Sequence, residues 1–124
     1  KKPRILFVEN DMASREFVRL SLKKLYDVEM AEEGETAVQK ASENSYDIIL
    51  MDIGLGRGMD GIEAANRIRK IDGYDNIPII AVTAFAMKGD KDRILAQGLS
   101  GYISKPFGKQ DLMELVDKYI SKVE

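Results

Sequence analysis

The sequence predicts one α/β domain that is built on a parallel sheet with helices on both faces. The chain has 124 residues, which suits a single domain spanning residues 1–124. Short apolar runs alternate along it with stretches in which apolar residues recur at helical spacing. A strict alternation of strands and helices favours parallel strand pairing with right-handed crossovers.

The first half of the chain contains three predicted strands and two predicted helices. The runs at 5–8 and 48–51 are almost wholly apolar, as is typical of strands buried on both faces. The segment 28–31 alternates between apolar and polar residues, which favours a position near the sheet edge. The residues with core-facing helical spacing are Phe17, Val18, Leu22 and Leu25, followed by Ala37, Val38 and Ala41.

The second half continues the same alternation. An apolar run at 79–82 predicts another buried strand, and the half-polar segment 101–104 predicts an edge strand. The helix at 86–97 is the least regular, because it is polar through most of its length and contains Gly89. The other helical positions are Ile62, Ala65 and Ile68, followed by Leu112, Leu115, Val116, Tyr119 and Val123.

Composition excludes several classes of function. The 21 acidic and 19 basic residues give a net charge of -2, so no overall positive field favours nucleic acid or an anionic membrane as a partner. Histidine, cysteine and tryptophan are absent. This excludes the usual zinc sites, thiol and Ser-His-Asp catalysis, disulfides and a phosphohistidine carrier.

No apolar run approaches the roughly 20 residues that cross a bilayer. We therefore expect a cytoplasmic protein without a membrane partner. The chain begins at Lys1 rather than at methionine, and we expect the natural chain to be longer.

Polar residues follow four of the predicted strands. They are Glu9, Asn10 and Asp11 after the first strand, Asp52 after the third, Thr83 after the fourth and Lys105 after the fifth. The carboxyl ends of parallel strands share one edge of the sheet, so these side chains should meet in one crevice. Oxygen ligands of this kind suit Mg²⁺, and a nearby hydroxyl and ammonium suit a phosphoryl group. The set indicates phosphoryl transfer to a carboxylate.

These residues lie in motifs by which the chain resembles the receiver domains of two-component response regulators, including those of hybrid histidine kinases. The motifs are Ile5 to Glu9, residues 47–53, Met59-Asp60-Gly61, residues 81–84 and Tyr102 to Phe107. The resemblance covers about the whole chain. It implies a doubly wound (βα)5 flavodoxin-like fold with strand order 2-1-3-4-5 and a cis bond between Lys105 and Pro106.

The resemblance also implies a role for each site residue. Asp52 would accept a phosphoryl group from a histidine kinase or a histidine phosphotransfer protein, and Thr83 and Lys105 would bind that group. Tyr102 would move with Thr83 as a switch. The implied Mg²⁺ ligands are Glu9, Asn10, Asp52 and the carbonyl of Gly54. We expect a monomer or weak dimer that is not a turnover enzyme, with self-phosphorylation and slow self-dephosphorylation only.

The sequence departs from the family pattern in the metal site and in the loop after the acceptor. Asn10 stands where a second acidic residue is usual, which favours weak metal binding. The segment 54–61 has no proline and is one residue longer than usual. Gly54 and Phe85 occupy the two positions that usually modulate loss of the phosphoryl group, and neither side chain can orient a water.

Several alternatives remain open from the sequence. Asp11 suits a helix cap, and it could also supply a carboxylate to the metal. Asn10 motivates a degenerate receiver that acts only as an interaction module. A small Asp-dependent phosphatase would need a second aspartate where Gly54 stands. The segment 56–61 formally matches a dinucleotide-binding motif, but the next strand ends in Val82-Thr83 without the acid that would hold a ribose.

Overall fold

The computed structural model describes residues 2–54, 59–84 and 90–123, and the described chain forms a five-stranded parallel sheet. The strand order is β2-β1-β3-β4-β5, as the resemblance implied. Each neighbouring pair is parallel. The strands are β1 (Arg4–Val8), β2 (Asp27–Ala31), β3 (Ile48–Asp52), β4 (Ile79–Thr83) and β5 (Gly101–Ser104). The two strands predicted at the edges, β2 and β5, are the edge strands.

A helix follows each strand in the described chain. The helices are α1 (Met12–Leu22), α2 (Gly34–Glu43), α3 (Gly61–Arg69), α4 (Asp90–Ala96) and α5 (Lys109–Val123). Gly73 and Gly98 adopt the positive φ angles, 96° and 90°, that let the chain turn towards β4 and β5. In the ranges that the structure describes, no helix is both long enough and apolar enough to cross a membrane.

One part of the helix prediction is wrong, and another lies partly outside the described residues. The first helix was expected to run to Leu25 with Phe17 in the core, but α1 ends at Leu22, and Leu25 and Phe17 are 55% and 40% exposed. The chain has to leave the helix there because Asp27 already pairs with the backbone of Pro3 at the start of β2. The helix expected at 86–97 is described only from Asp90, and Gly89 lies outside the described residues.

Apolar side chains on the two faces of the sheet form two cores. One face packs against α1 and α5 through residues such as Phe7, Leu50 and Val82. The other packs against α2, α3 and α4 through residues such as Val8, Met51 and Ala81. Successive residues of a strand point to opposite faces, so the central strands β1, β3 and β4 are apolar at consecutive positions.

Candidate functional site

The strand register places the predicted site residues together at the carboxyl end of the sheet. Asp52, the last residue of β3, pairs with Val82, and Thr83 pairs with Ser104. Glu9 directly follows β1, whose last residue Val8 pairs with Met51. Lys105 directly follows β5, and its backbone N–H donates to the carbonyl of Thr83 at 2.8 Å. The predicted convergence at the carboxyl end is therefore observed.

Three of these side chains are in direct contact, and we call Glu9, Asp52 and Lys105 the acceptor triad. The ammonium of Lys105 lies 2.9 Å from Oε1 of Glu9 and 3.2 Å from Oδ2 of Asp52. All three continue the alternation of residues that face α1 and α5, because Phe7, Leu50 and Ile103 lie two positions earlier and pack on that side. Lys105 therefore points into the crevice, and the Lys105–Pro106 bond is cis as expected.

Burial and the neighbouring charges shift the pKa values of Glu9 and Lys105 in the acceptor triad. Glu9 is 1% and Asp52 is 5% exposed, whereas the Lys105 side chain keeps 30% of its surface. Burial raises the pKa of Glu9, the hydrogen bond from Lys105 opposes this, and the neighbouring Asp52 carboxylate raises it further. Burial acts to lower the pKa of Lys105, but the hydrogen bond to Glu9 and the charge of Asp52 outweigh it and leave that pKa raised. The site therefore favours an additional cation near its carboxylates.

The Asp52 carboxylate is held from two directions. Lys105 approaches Oδ2, and the backbone N–H of Gly54 donates to Oδ1 at 2.8 Å. Gly61 lies against the backbone of this residue, and a Cβ at Gly61 would be 2.3 Å from the Asp52 carbonyl oxygen and 2.7 Å from the Cα of Ile53. Only glycine allows this approach, so the start of α3 fixes the backbone that carries Asp52.

Asn10 and Asp11 have different surroundings although they are adjacent. The Asp11 carboxylate caps α1, where its Oδ2 accepts from the backbone N–H and the hydroxyl of Ser14 at 2.8 Å and 2.7 Å. These bonds lower the pKa of Asp11. Asn10 is exposed and lines the crevice together with Glu9 and Asp52. The prediction that Asp11 caps α1 is thus confirmed, and Asn10 lies between this cap and Glu9.

Thr83 and Tyr102 lie on the opposite face of the sheet from the acceptor triad. Thr83 is 5% exposed and continues the alternation of Ile79 and Ala81, which face α3 and α4. Tyr102 is partly buried, packs on that same core and pairs with Ala81 on the neighbouring strand. Thr83 also lines the crevice, whereas Tyr102 lines a groove on α5. The two side chains thus lie on the same face of the sheet, and Thr83 is nearer to the carboxyl end.

The crevice is large and oxygen-rich enough for a hydrated ion and a phosphoryl group. Its volume is about 630 Å³. The residues that line it include Glu9, Asn10, Asp52, Gly54, Thr83 and Lys105. Within the described ranges, no three Asp or Glu side chains come together as a potential metal cluster. Two carboxylates, an amide and a backbone carbonyl are hard oxygen donors that fit Mg²⁺, which commonly keeps several waters.

Sequence reasoning missed two basic residues at this site. Arg93 on α4 lines the same crevice. Arg15 on α1 donates to the backbone carbonyl of Glu9 at 2.9 Å. Nothing in the local pattern distinguishes either arginine from an ordinary exposed helix residue. The prediction for Phe85 lies outside the described residues.

The chain matches one family model and is similar to known proteins over most of its length. Residues 5–117 match the family model of the response regulator receiver domain. The chain is 37% identical over 117 residues to the polar-differentiation response regulator DivK of Brucella anthropi. This match covers 94% of the chain and 94% of DivK. It is 34% identical over 116 residues to the signal transduction histidine-protein kinase BarA of Escherichia coli, of which it spans only 12%.

Solved structures agree with the sequence matches. The receiver domain of the Pseudomonas aeruginosa sensor histidine kinase PA1611, solved with a magnesium ion in its active site cleft, is 34% identical with a TM-score of 0.88. The match covers 98% of this chain and 99% of that domain. The Vibrio cholerae chemotaxis protein CheY4 is 27% identical with a TM-score of 0.90, over 96% of this chain and 99% of that protein.

Proposed function

The chain belongs to the response regulator receiver domain family, and on this basis we propose that it accepts a phosphoryl group on Asp52 in a two-component phosphorelay. Members of this family are generally phosphoacceptor switches rather than catalysts, and they interact with histidine kinases or phosphotransfer proteins. The single observation that carries the proposal is the buried Asp52 carboxylate, which lies 3.2 Å from Lys105 at the end of the central strand.

The proposed reaction is a nucleophilic displacement at phosphorus. An oxygen of Asp52 forms a bond to phosphorus while the bond from phosphorus to the imidazole nitrogen of the donor breaks, and that nitrogen keeps the electron pair and is protonated. The product is an acyl phosphate on Asp52 and a free histidine on the donor. The protein contributes mainly position and charge neutralisation to such a step.

We assign the surrounding residues by the atoms they offer. Lys105 holds Asp52 and donates to the transferred phosphoryl oxygens, and Thr83 directly follows Val82, the partner of Asp52 on the neighbouring strand. Mg²⁺, when bound, would neutralise the phosphoryl oxygens and the acceptor carboxylate. Glu9, Asn10, Asp52 and the carbonyl of Gly54 are the groups that would hold it.

The proposed switch connects the two faces of the sheet. A phosphoryl group on Asp52 offers oxygens to Thr83, and movement of Thr83 frees space on the face that Tyr102 shares. The face formed by α4, β5 and α5 would then differ between the two states. Tyr102 is suited to report the change because it lies between the core and the groove beside α5.

We propose that residues 1–124 act as one receiver unit in the cytoplasm, as a monomer or weak dimer, without binding nucleic acid or membrane. Its own chemistry would consist of self-phosphorylation and slow self-dephosphorylation. The chain spans nearly all of the response regulator DivK but only a small part of the histidine-protein kinase BarA, so a single-domain protein and a part of a longer protein are both compatible with its length.

Intact-mass analysis tests the proposal directly. The wild-type chain and Asp52→Asn are incubated with acetyl phosphate and Mg²⁺, and the phosphorylated fraction is followed over time. We expect one added phosphoryl group in wild type and none in Asp52→Asn. Equal modification of both proteins would contradict Asp52 as the acceptor.

A second candidate is a receiver that serves only as an interaction module. Asn10 supports it, because an amide replaces a charged ligand next to a divalent ion and weakens metal binding. This candidate predicts no modification of wild type at any Mg²⁺ concentration. Modification that appears at high Mg²⁺ concentration would instead support a functional site of low metal affinity.

A further inference from the structure

Arg15 reaches from α1 back to the strand end that carries the metal-site residues. Its guanidinium donates to the carbonyl oxygen of Glu9 at 2.9 Å and lies 3.6 Å from a carboxylate oxygen of Glu32. The Arg15 side chain is only 18% exposed, while Glu32 is 71% exposed. Helical side chains tilt towards the amino terminus of their helix, which allows this backward contact. A largely buried guanidinium is costly unless it is hydrogen-bonded, so the contact has a defined partner.

The carbonyl that Arg15 binds lies just beyond the sheet. The backbone N–H of Glu9 makes a bond to β2, to Ala31 at 2.9 Å, and the chain then turns into the cap of α1. The Glu9 carbonyl belongs to the peptide that joins Glu9 to Asn10. Arg15 therefore binds that peptide at the point where the chain leaves the strand towards Asn10.

The other side of Asn10 is also fixed. The backbone N–H of Asp11 donates to Oε2 of Glu9 at 3.1 Å, and the Asp11 carboxylate is held by Ser14. Asn10 thus lies between two anchored peptides. The first anchor depends on one side chain from another part of the chain, which is Arg15.

We propose that Arg15 is a positioning residue for metal binding and phosphorylation, because it sets the Glu9–Asn10 peptide for the crevice. The inference rests on the proposed function and concerns how its metal site is built. Mg²⁺ requires nearly octahedral ligand positions at short distances, so a rotated peptide would weaken binding although every ligand is still present.

Charge alone predicts the opposite effect, so the direction of the change in Mg²⁺ affinity tests the proposal. Arg15 is a cation beside the site, and its removal would reduce repulsion of a divalent ion. If the charge dominated, Arg15→Ala would bind Mg²⁺ more tightly than wild type. If positioning dominates, the same variant binds Mg²⁺ more weakly.

The test is a Mg²⁺ titration followed by the backbone amide NMR shifts of Glu9, Asn10 and Asp52. Arg15→Ala is compared with wild type, with Arg15→Lys, and with Arg19→Ala as a matched control. Arg19 lies one turn further along α1 and pairs with Glu16 on the surface. We expect Arg15→Ala to weaken Mg²⁺ binding about ten-fold, the lower end of the effects typical of residues that orient ligands. Arg15→Lys, which keeps one donor, should recover part of the loss, and Arg19→Ala should match wild type.

Urea unfolding and acetyl phosphate modification complete the experiment. Unchanged or tighter Mg²⁺ binding in folded Arg15→Ala would overturn the positioning role. So would an equal loss in Arg19→Ala, because the effect would then belong to the helix. If wild type binds Mg²⁺ but is never modified at Asp52, the proposed function fails while the Arg15 comparison still gives its own result. We expect Arg15→Ala to be modified about ten-fold more slowly than wild type at subsaturating Mg²⁺.

Discussion

The two ends of the sheet each hold a cluster of charged side chains, and the clusters differ in how completely they are paired. At the amino end, Arg4 binds Glu29 and lies 5.1 Å from the centre of the Tyr46 ring, and the Tyr46 hydroxyl donates to the other oxygen of Glu29 at 2.8 Å. We call Arg4, Glu29 and Tyr46 the amino-end network. At the carboxyl end, the acceptor triad has two carboxylates and one ammonium.

The difference separates a cluster with balanced charges from one with an excess negative charge. Each Glu29 oxygen in the amino-end network has a hydrogen-bond donor, and these bonds lower the pKa of Glu29 although burial acts to raise it. In the acceptor triad, one negative charge has no counterpart, and burial raises the pKa of Glu9. A balanced cluster stabilises the fold, whereas one with an excess negative charge attracts an additional cation.

The largest effect should come from breaking the amino-end network. Arg4→Ala removes the cation from Glu29 and the contact with Tyr46, and it should lower the free energy of unfolding by about 1.5 kcal/mol, which is less than for a fully buried pair. Urea unfolding measures this. The control Arg67→Ala breaks only the surface pair with Glu63 and should cost about 0.3 kcal/mol. An equally small loss in Arg4→Ala would show that the amino-end network is not structurally important.

Adding a carboxylate to the other end should strengthen metal binding. Asn10→Asp places a full negative charge where the amide stands, and it should tighten Mg²⁺ binding about ten-fold, a change of about 1.4 kcal/mol. The amide NMR titration described for Arg15 measures it. Unchanged affinity would mean that another group, such as Asp11, already supplies the missing carboxylate.

Removing the excess negative charge of the acceptor triad should stabilise the protein. Asp52→Asn keeps the size of the side chain and relieves the repulsion from Glu9, while Lys105 still pairs with Glu9 at 2.9 Å. We expect the free energy of unfolding to rise by about 1 kcal/mol, as is common when a functional site is neutralised. Urea unfolding without Mg²⁺ is the measurement. A loss of stability would show that the bond from Lys105 to Asp52 outweighs the repulsion.

The lifetime of the phosphorylated state should depend on side chains that the carboxyl end lacks. Gly54→Asn combined with Phe85→Glu should hydrolyse the acyl phosphate about three-fold faster than wild type, because polar groups can orient an attacking water. A Cβ at Gly54 would lie 3.5 Å from Oδ1 of Asp52, an ordinary contact, so Asn fits there. Loss of phosphoprotein after donor removal measures the rate. Equal or faster loss from wild type would show that access through the loop sets the lifetime.

The smallest effect is a pH dependence of the amino-end network. The folded-state pKa of Glu29 is below its ordinary value of 4.5, so its stabilisation is present above pH 4.5 and is lost as pH falls through the folded value. Tyr46→Phe removes one bond to Glu29 and should cost about 1 kcal/mol at pH 7. The difference from wild type should shrink by about 0.5 kcal/mol as the pH is lowered below 4.5. A difference that does not change with pH would show that the contribution of Tyr46 to stability does not depend on the charge of Glu29.

The same comparison explains what the sequence could predict. Asp52 and Thr83 end strands with clear apolar patterns, and Lys105 follows the half-polar β5, so the sheet topology brings them together without any knowledge of side-chain conformation. Asp11 was identified as a cap from its position before α1. These predictions depend on backbone pairing, which the apolar pattern controls.

Contacts of long side chains could not be predicted in this way. Arg4 meets Glu29 across two strands, and Arg15 meets a carbonyl six positions earlier on another element. Arginine at either position is equally compatible with an exposed surface. The end of α1 at Leu22 instead of Leu25 depends on where the chain must enter β2, which is a tertiary constraint that helical spacing does not contain.

Gly61 has a consequence for how this sequence can vary. Its missing side chain leaves room for the Asp52 carbonyl, and a methyl group would lie 2.3 Å from that oxygen. In a library randomised at position 61 and selected only for folded protein, variants that displace the Asp52 backbone could still survive. A second selection for Mg²⁺-dependent labelling should then enrich glycine alone, because any other residue moves the reacting carboxylate even when the fold is retained.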